Sequence, residues 1–247
     1  MGMTGVSNLK PRAALLVVGL LATLLVLTLS ACGGGGSAQE EAKARPLPED
    51  PKTLRPGEYR SEEFKPSLSF RVGKGWQNEP LETPDKLAIL RPGDQGGPTL
   101  IFRNLQEVYK PSTATSTLEV VEAPKDVVGW FQHHPYLDTE KPKPVTVGGV
   151  NGVQFDYALA EDAPVDNILL FRYSDGTDAG SAKGYKSRAI ILEDVKGETV
   201  TIGMGSLAGG FDEFAPEAQK VVDNVKWSGI PLHHKHDATS RASEPTS

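Results

Sequence analysis

Leu68-Ser69-Phe70-Arg71-Val72-Gly73-Lys74-Gly75-Trp76 is the stretch from which the fold is read. Leu68, Phe70 and Val72 alternate with Ser69 and Arg71, the period of a half-buried strand, and Gly73-Lys74-Gly75 turns the chain before Trp76. Downstream, Leu87 to Leu90 and Thr99 to Leu105 are two more apolar runs. The breaker cluster from Pro92 to Pro98 separates them, so the three runs predict an antiparallel meander. Residues 107–123 are polar and carry no clear period.

Ala123-Pro124-Lys125-Asp126 is expected to open a short helix, with Pro124 in its first turn and Val127, Val128, Trp130 and Phe131 as its apolar stripe. Pro135 disfavours helical geometry at His134 and ends it. Val145 and Val147 are expected to pair with Val153, Phe155 and Tyr157 across Asn151-Gly152, the strongest hairpin signal in the chain. A strand from Ile168 to Tyr173 precedes an Asp-, Gly- and Ser-rich loop, 174–183. A last hairpin joins Ser187–Leu192 to Thr199–Met204 around Lys196-Gly197. Phe214, Ala218, Val221, Val222 and Val225 then mark one helix face, with Pro216 near its start, and Val225-Lys226-Trp227 returns the chain to the sheet.

Many antiparallel strands with a mid-chain and a C-terminal helix packed on them give the α+β class. The order of strand 68–72, Gly75-Trp76, meander, helix, the hairpin from Val147 to Asp156, and a terminal helix ending at Val225-Lys226-Trp227 resembles the PsbP-like domains. Those domains occur in the photosynthetic oxygen-evolving complex and in several actinobacterial lipoproteins. The resemblance implies a twisted antiparallel sheet and a non-enzymatic binding or accessory role, and it carries over no site residue.

Upstream, Lys10 and Arg12 precede an apolar run from Ala13 to Leu29, the layout of a secretory signal. Leu29-Ser30-Ala31-Cys32 resembles the lipobox of bacterial lipoproteins. That resemblance implies cleavage between Ala31 and Cys32, diacylglycerol on the Cys32 sulfur, and fatty acylation (palmitate) of the new terminus. Small residues admit a peptidase to the backbone, and only a thiol can form the thioether. Two or three acyl chains anchor stably where one binds marginally. The expected organisation is a signal peptide at 1–31, a lipidated flexible tether at 32–57 and a single α+β domain at 58–231. A disordered tail is expected at 232–247. The tether reading rests on Gly33 to Gly36, on Glu40, Glu41, Glu49 and Asp50, and on Pro46, Pro48, Pro51 and Pro56.

Cleavage would remove Lys10 and Arg12 and no acid, moving the formal net charge from −6 to −8. An acidic domain with no basic stripe argues against nucleic acid as a partner. Cys32 is the sole cysteine, so the domain holds no internal disulfide and relies on its core.

Motif by motif, the chemistry is thin. Gly203-Met204-Gly205-Ser206-Leu207-Ala208 superficially fits a dinucleotide fingerprint, but the helix is expected to open several residues further on and no βαβ unit exists. Met204 and Ala208 stand where a nucleophile elbow around Ser206 needs glycine. His133-His134 reads as a surface pair, and His233-His234-Lys235-His236 as a solvated tail segment. Asp175-Gly176-Thr177-Asp178 reads as a hairpin turn, lacking the later glutamate of a calcium loop. Glu161-Asp162 reads as a charged turn before Pro164. Tyr109, Trp130, Tyr136 and loop 174–186 are candidates for lining a groove, with core packing the better account of Trp130.

The expectation is therefore a membrane-anchored, extracytoplasmic lipoprotein that binds a protein or small ligand and needs no cofactor or metal. An envelope hydrolase whose site assembles only in three dimensions is the alternative. For the anchor, Cys32→Ser is expected to abolish incorporation of labelled fatty acid and to leave unprocessed precursor. Normal maturation of that variant would contradict it.

Overall fold

The computed structural model describes residues 44–79, 82–93, 97–112 and 118–229. Cys32, Ala31 and the signal, the first part of the expected tether, and the tail with its three histidines lie outside the described residues. The short strand β1 (Arg45–Pro46) leads to β2 (Gly57–Arg60), β3 (Leu68–Val72), β4 (Gln77–Asn78), β5 (Lys86–Leu90) and β6 (Thr99–Asn104). Next come β7 (Glu107–Tyr109), β8 (Val120–Glu122), helix α1 (Val127–Gln132), β9 (Leu137–Thr139), β10 (Lys143–Val147) and β11 (Val150–Leu159). The chain finishes with β12 (Asn167–Arg172), β13 (Asp178–Ala182), β14 (Tyr185–Val195), β15 (Glu198–Leu207), helix α2 (Ala208–Val222) and β16 (Lys226–Trp227).

The fold is the α+β arrangement expected, built as three layers. A central sheet runs β10-β11-β14-β15-β6-β5-β4, with β9 added beside β11. Every pairing within it is antiparallel. One face carries Leu87, Ile89, Leu100, Phe102, Ile190, Leu192, Val200, Ile202 and Met204. These pack against α2 and the small sheet β1-β2-β3-β16, which supply Phe70, Phe214, Val221 and Trp227, and against Trp76 from the β3–β4 connection. The alternate residues of the same strands face the other way, because side chains of a strand alternate. There Phe155, Tyr157, Ala189 and Ile191 meet α1 (Val127, Phe131) and the third sheet, β13-β12-β7-β8, through Val108, Leu170 and Phe171. Burying a side chain of this size contributes about 1.5–3 kcal/mol, so two cores on one sheet hold the fold without any cross-link.

Several sequence expectations need correction. Residues 44–57 are not a free tether: Leu47 and Leu54 are buried in the first core. Asn78 donates to the carbonyls of Pro48 and Asp50, and Arg45 lies over the Tyr59 ring. Prolines that cannot donate still accept, and two leucines in a polar segment suffice to dock it. Helix α1 starts later than expected: Asp126 is its N-cap, accepting from Gly129 N at 2.7 Å, and Pro124 lies outside. Helix α2 starts earlier, at Ala208 directly after β15, so Pro216 falls inside it and Phe211 joins its buried face. The rejection of a dinucleotide site survives on other grounds. Gly203 and Gly205 sit inside a flat strand, and β16 after the helix pairs antiparallel with β3. Loop 174–183 contains β13, and the polar stretch 107–123 contains the β7–β8 hairpin.

The β10–β11 hairpin turns at Gly148-Gly149, not at Asn151-Gly152: Val147 faces Val150 and Val145 faces Gly152. A two-residue turn matching the strand twist needs positive φ at both central residues. Gly148 (55°) and Gly149 (86°) supply it, while Gly152 lies in the strand where a Cβ would meet the Ile191 carbonyl. The turn also seats Trp227, whose indole N–H donates to Val147 O at 3.1 Å. A Cβ on Gly148 would come within 2.7 Å of that indole. Gly148→Ala is therefore expected to cost about 2 kcal/mol and to lower Tm by roughly 5 °C. Gly73→Ala, where a Cβ meets nothing, is expected to change Tm little by the same calorimetric measurement.

Candidate functional site

The second face of the central sheet is only partly covered. Over β11 and β14 it is filled by α1 and β12, but over β15, β6 and β5 the third sheet stops short. What covers that end is the tip of the β12–β13 hairpin, and the tip is tied down by consecutive residues at the start of β5. Buried Asp85 accepts from Ser174 N (2.8 Å), Ser174 Oγ (2.6 Å) and Thr83 Oγ1 (2.6 Å). Burial opposes its charge, yet these donors prevail and hold its carboxyl below the usual range. Its neighbour Lys86 donates to Asp175 at 2.7 Å and to Thr177 Oγ1 at 3.1 Å, with its ammonium 5.1 Å from the Tyr173 ring centre. Asp175 likewise resists burial: Lys86 and Thr177 hold its carboxyl down at about 2. Asp175-Gly176-Thr177 is a turn, as its sequence predicts, with Gly176 at φ 80°.

Beneath the tip lies a cavity of about 470 Å³, inside the range of small-molecule sites. Its floor has little side-chain volume because β15 presents Gly203 and Gly205 there, beside Thr99 and Ile101 of β6. Tyr173, Asp178, Ala179 and Gly180 wall it from the hairpin, and Tyr157, Tyr185 and Ser187 close the far end. Arg103 crosses the floor. Its Nε donates to the Tyr173 hydroxyl, and its guanidinium carbon is 4.9 Å from the Phe171 ring centre. A Cβ on Gly203 would stand 2.5 Å from the Arg103 Nη1, so that glycine is what lets the fork lie flat against the strand. Lys86 is matched by Asp175 and Asp178 by Arg172 (3.1 Å), while Arg103 has no carboxylate partner among the described residues. The site therefore offers a fixed, unmatched cation among hydroxyls.

Of the residues singled out from sequence, Thr177 to Gly180 and Tyr185 of loop 174–186 do line this cavity. Tyr109 does not: it is buried, donating to Asp178 Oδ1 at 2.7 Å from behind. Burial, reinforced by that carboxylate, pushes its phenol up. Trp130 packs on Phe131 and Phe171 as core, and half-buried Tyr136 sits beside His134, away from the cavity. His133-His134 is not a surface pair. His133 is exposed with Nδ1 on the Gly129 carbonyl, whereas His134 is buried against Trp130, its Nδ1 accepting from Tyr136 N. Among the described residues neither histidine reaches a serine or carboxylate, and no cluster could hold a metal. Glu161-Asp162 is an exposed turn, as expected. Arg103, Tyr157 and Ser187 were not singled out. The signal that could have found them is the pair Gly203 and Gly205 on one face of a strand, a floor with no side chains.

A second cavity, about 450 Å³, lies near the start of α2 and is rimmed by Asp138, Glu140 and Glu161. Its buried Asp156 is fully matched by Arg188 (2.6 Å) and Lys186 (3.2 Å), which themselves lie over Phe211. That cluster docks α2 to the sheet.

No family model matches the chain, and no curated protein matches it. Among solved structures it is similar to LpqN, described as involved in cell envelope biogenesis of Mycobacterium tuberculosis. That match has 10% identity and a TM-score of 0.38, covering 72% of this chain and 90% of that one. It is also similar to the cyanobacterial PsbP of Synechocystis sp. PCC 6803, from the group its element order resembles. There the identity is 12% and the TM-score 0.37, over 81% of this chain and 98% of that one.

His134 makes stability depend on pH. Burial lowers its pKa from 6.5 to about 4, so between those values the unfolded chain binds the proton that the folded chain refuses. The contribution is intact above pH 6.5 and is lost as pH falls toward 4. Asp85, Asp156 and Asp175 are held below the ordinary carboxylate range, and their losses come at lower pH. Tm is expected to fall between pH 6.5 and 4.5 more steeply in the parent protein than in His134→Phe. Glu82, raised mainly by burial, has the opposite sign but is shared by both proteins, so the difference reports His134. Parallel Tm curves would contradict it.

Proposed function

We propose that this chain is an exported, lipid-anchored binding or accessory module of the cell envelope, held at the extracytoplasmic face of the membrane through Cys32. Its ligand occupies the cavity beneath the β12–β13 hairpin. The anchor half of this reading is supported by Leu29-Ser30-Ala31-Cys32 at the end of an apolar run and by the absence of any other cysteine. The binding half is carried by one observation: a cavity of about 470 Å³ whose only unmatched cation among the described residues, Arg103, is fixed in place by Tyr173 and Phe171. A structural packing gap would be apolar and closed, whereas this one is open and lined by hydroxyls.

The test uses the full chain in detergent, incubated with small molecules extracted from envelope fractions and examined by native mass spectrometry. A drug-sized adduct is expected. Gly205→Leu, which fills the floor where only Ser187 Oγ stands near, is expected to lose that adduct with little change in Tm. Turnover of an added envelope substrate, abolished by the same variant, would overturn the non-enzymatic reading.

A further inference from the structure

We propose that the cavity carries a carboxylate subsite at Arg103, so that its ligand is a small organic monocarboxylate with a polar body. This rests on the reading of the cavity as a binding site and adds the chemistry of its occupant. Arg103 is held on three sides: Nε is engaged by the Tyr173 hydroxyl, one face is against Phe171, and the other is against the bare backbone of Gly203. What remains are the two terminal amino groups, which have no protein acceptor among the described residues and border the cavity. Two parallel N–H donors on a fixed plane match the two oxygens of a carboxylate. Because the fork is already immobilised, binding there forfeits little side-chain entropy.

Charge decides between anions. Lys86 is neutralised by Asp175 and cannot supply a second positive charge. Asp178 is on the lining, but its carboxylate is engaged by Arg172 and by the Tyr109 hydroxyl behind it, whereas Glu79 stands on the lining with no cation partner among the described residues. A doubly charged phosphate would find one unmatched cation and, in Glu79, one unmatched acid, whereas a monoanion needs only the cation. Glu79 instead suits donors on the rest of the ligand, hydroxyl or ammonium groups. Thr99, Ser187, Tyr157 and Tyr185 add hydroxyls along the same walls. The volume, far larger than an inorganic ion needs, is room for that body.

Sodium acetate, the smallest carboxylate, is the probe, added to the full chain in detergent while the Arg103 Nε–H resonance is followed by ¹H–¹⁵N NMR. A saturable shift in the millimolar range is expected, with sodium phosphate at equal ionic strength binding at least several-fold more weakly. Arg103→Gln is expected to abolish acetate binding, read through the Tyr173 and Gly203 amides. Arg103→Lys, which keeps the charge but loses the fork, should weaken it about tenfold. Should Arg103→Gln fail to fold, Gly203→Ala tests the same point, because the added methyl displaces the guanidinium while leaving its charge. Absence of a saturable acetate shift, tighter binding of phosphate, or unchanged binding in Arg103→Lys and Gly203→Ala would each overturn the proposal. If acetate fails while the native ligand adduct remains and is lost in Gly205→Leu, the binding-module reading stands and the carboxylate assignment falls.

Discussion

The pair Asp85-Lys86 is the constraint on which the shape of this molecule turns. Two charged residues in sequence, one acid and one base, meet the turn Ser174 to Thr177, where Asp85 accepts from the Ser174 N–H and hydroxyl and Lys86 pairs with Asp175. Removing either partner would leave a half-buried charge or carboxylate short of donors, which is far more costly than never burying it. The hairpin tip is therefore fixed at a set height over β5 and β6. Fixed height with nothing large beneath it makes a cavity, and the glycines of β15 keep it empty of side chains.

This arrangement explains which parts of the chain declared themselves in sequence. The strand 68–72, the turn at Lys196-Gly197 and the face of α2 follow from local alternation, turn chemistry and helical spacing, so each was legible alone. The turn of the β10–β11 hairpin was not. Gly148-Gly149 and Asn151-Gly152 are both competent turn pairs, and the choice depends on Trp227, which lies about eighty residues away and closes over Gly148. Likewise Pro46 to Pro56 has the composition of a linker, and only the distant Asn78 and the first core convert it into a packed segment. Local signals settle local conformation; register and docking belong to partners far along the chain.

The cavity was half legible for the same reason. Asp175, Gly176 and Asp178 stand out as turn residues, but Arg103 is one arginine in a strand, with nothing beside it in sequence to separate it from Arg71. Its distinction arises across the sheet, where register sets Thr201 directly opposite and Gly203 one step along the same face. His134 shows the converse error: two adjacent histidines before a proline read as surface, yet α1 is so short that its last turn drops the second ring into the core beside Trp130.

Comparison of the two ion clusters shows where chemistry can reside. Asp156 takes bonds from Arg188 and Lys186, and those two cations lie against the Phe211 ring of α2. That set is complete, so a ligand could join it only by breaking bonds already made. Arg103 has one bond from its Nε and two aromatic or backbone surfaces holding its plane, and its outer nitrogens are left to solvent. A half-buried cation without a counter-charge keeps its water there and is open to an anion that replaces that water. Since Gly203 and Tyr173 orient that fork and no carboxylate among the described residues pairs with it, the anion proposed for it comes from outside the chain.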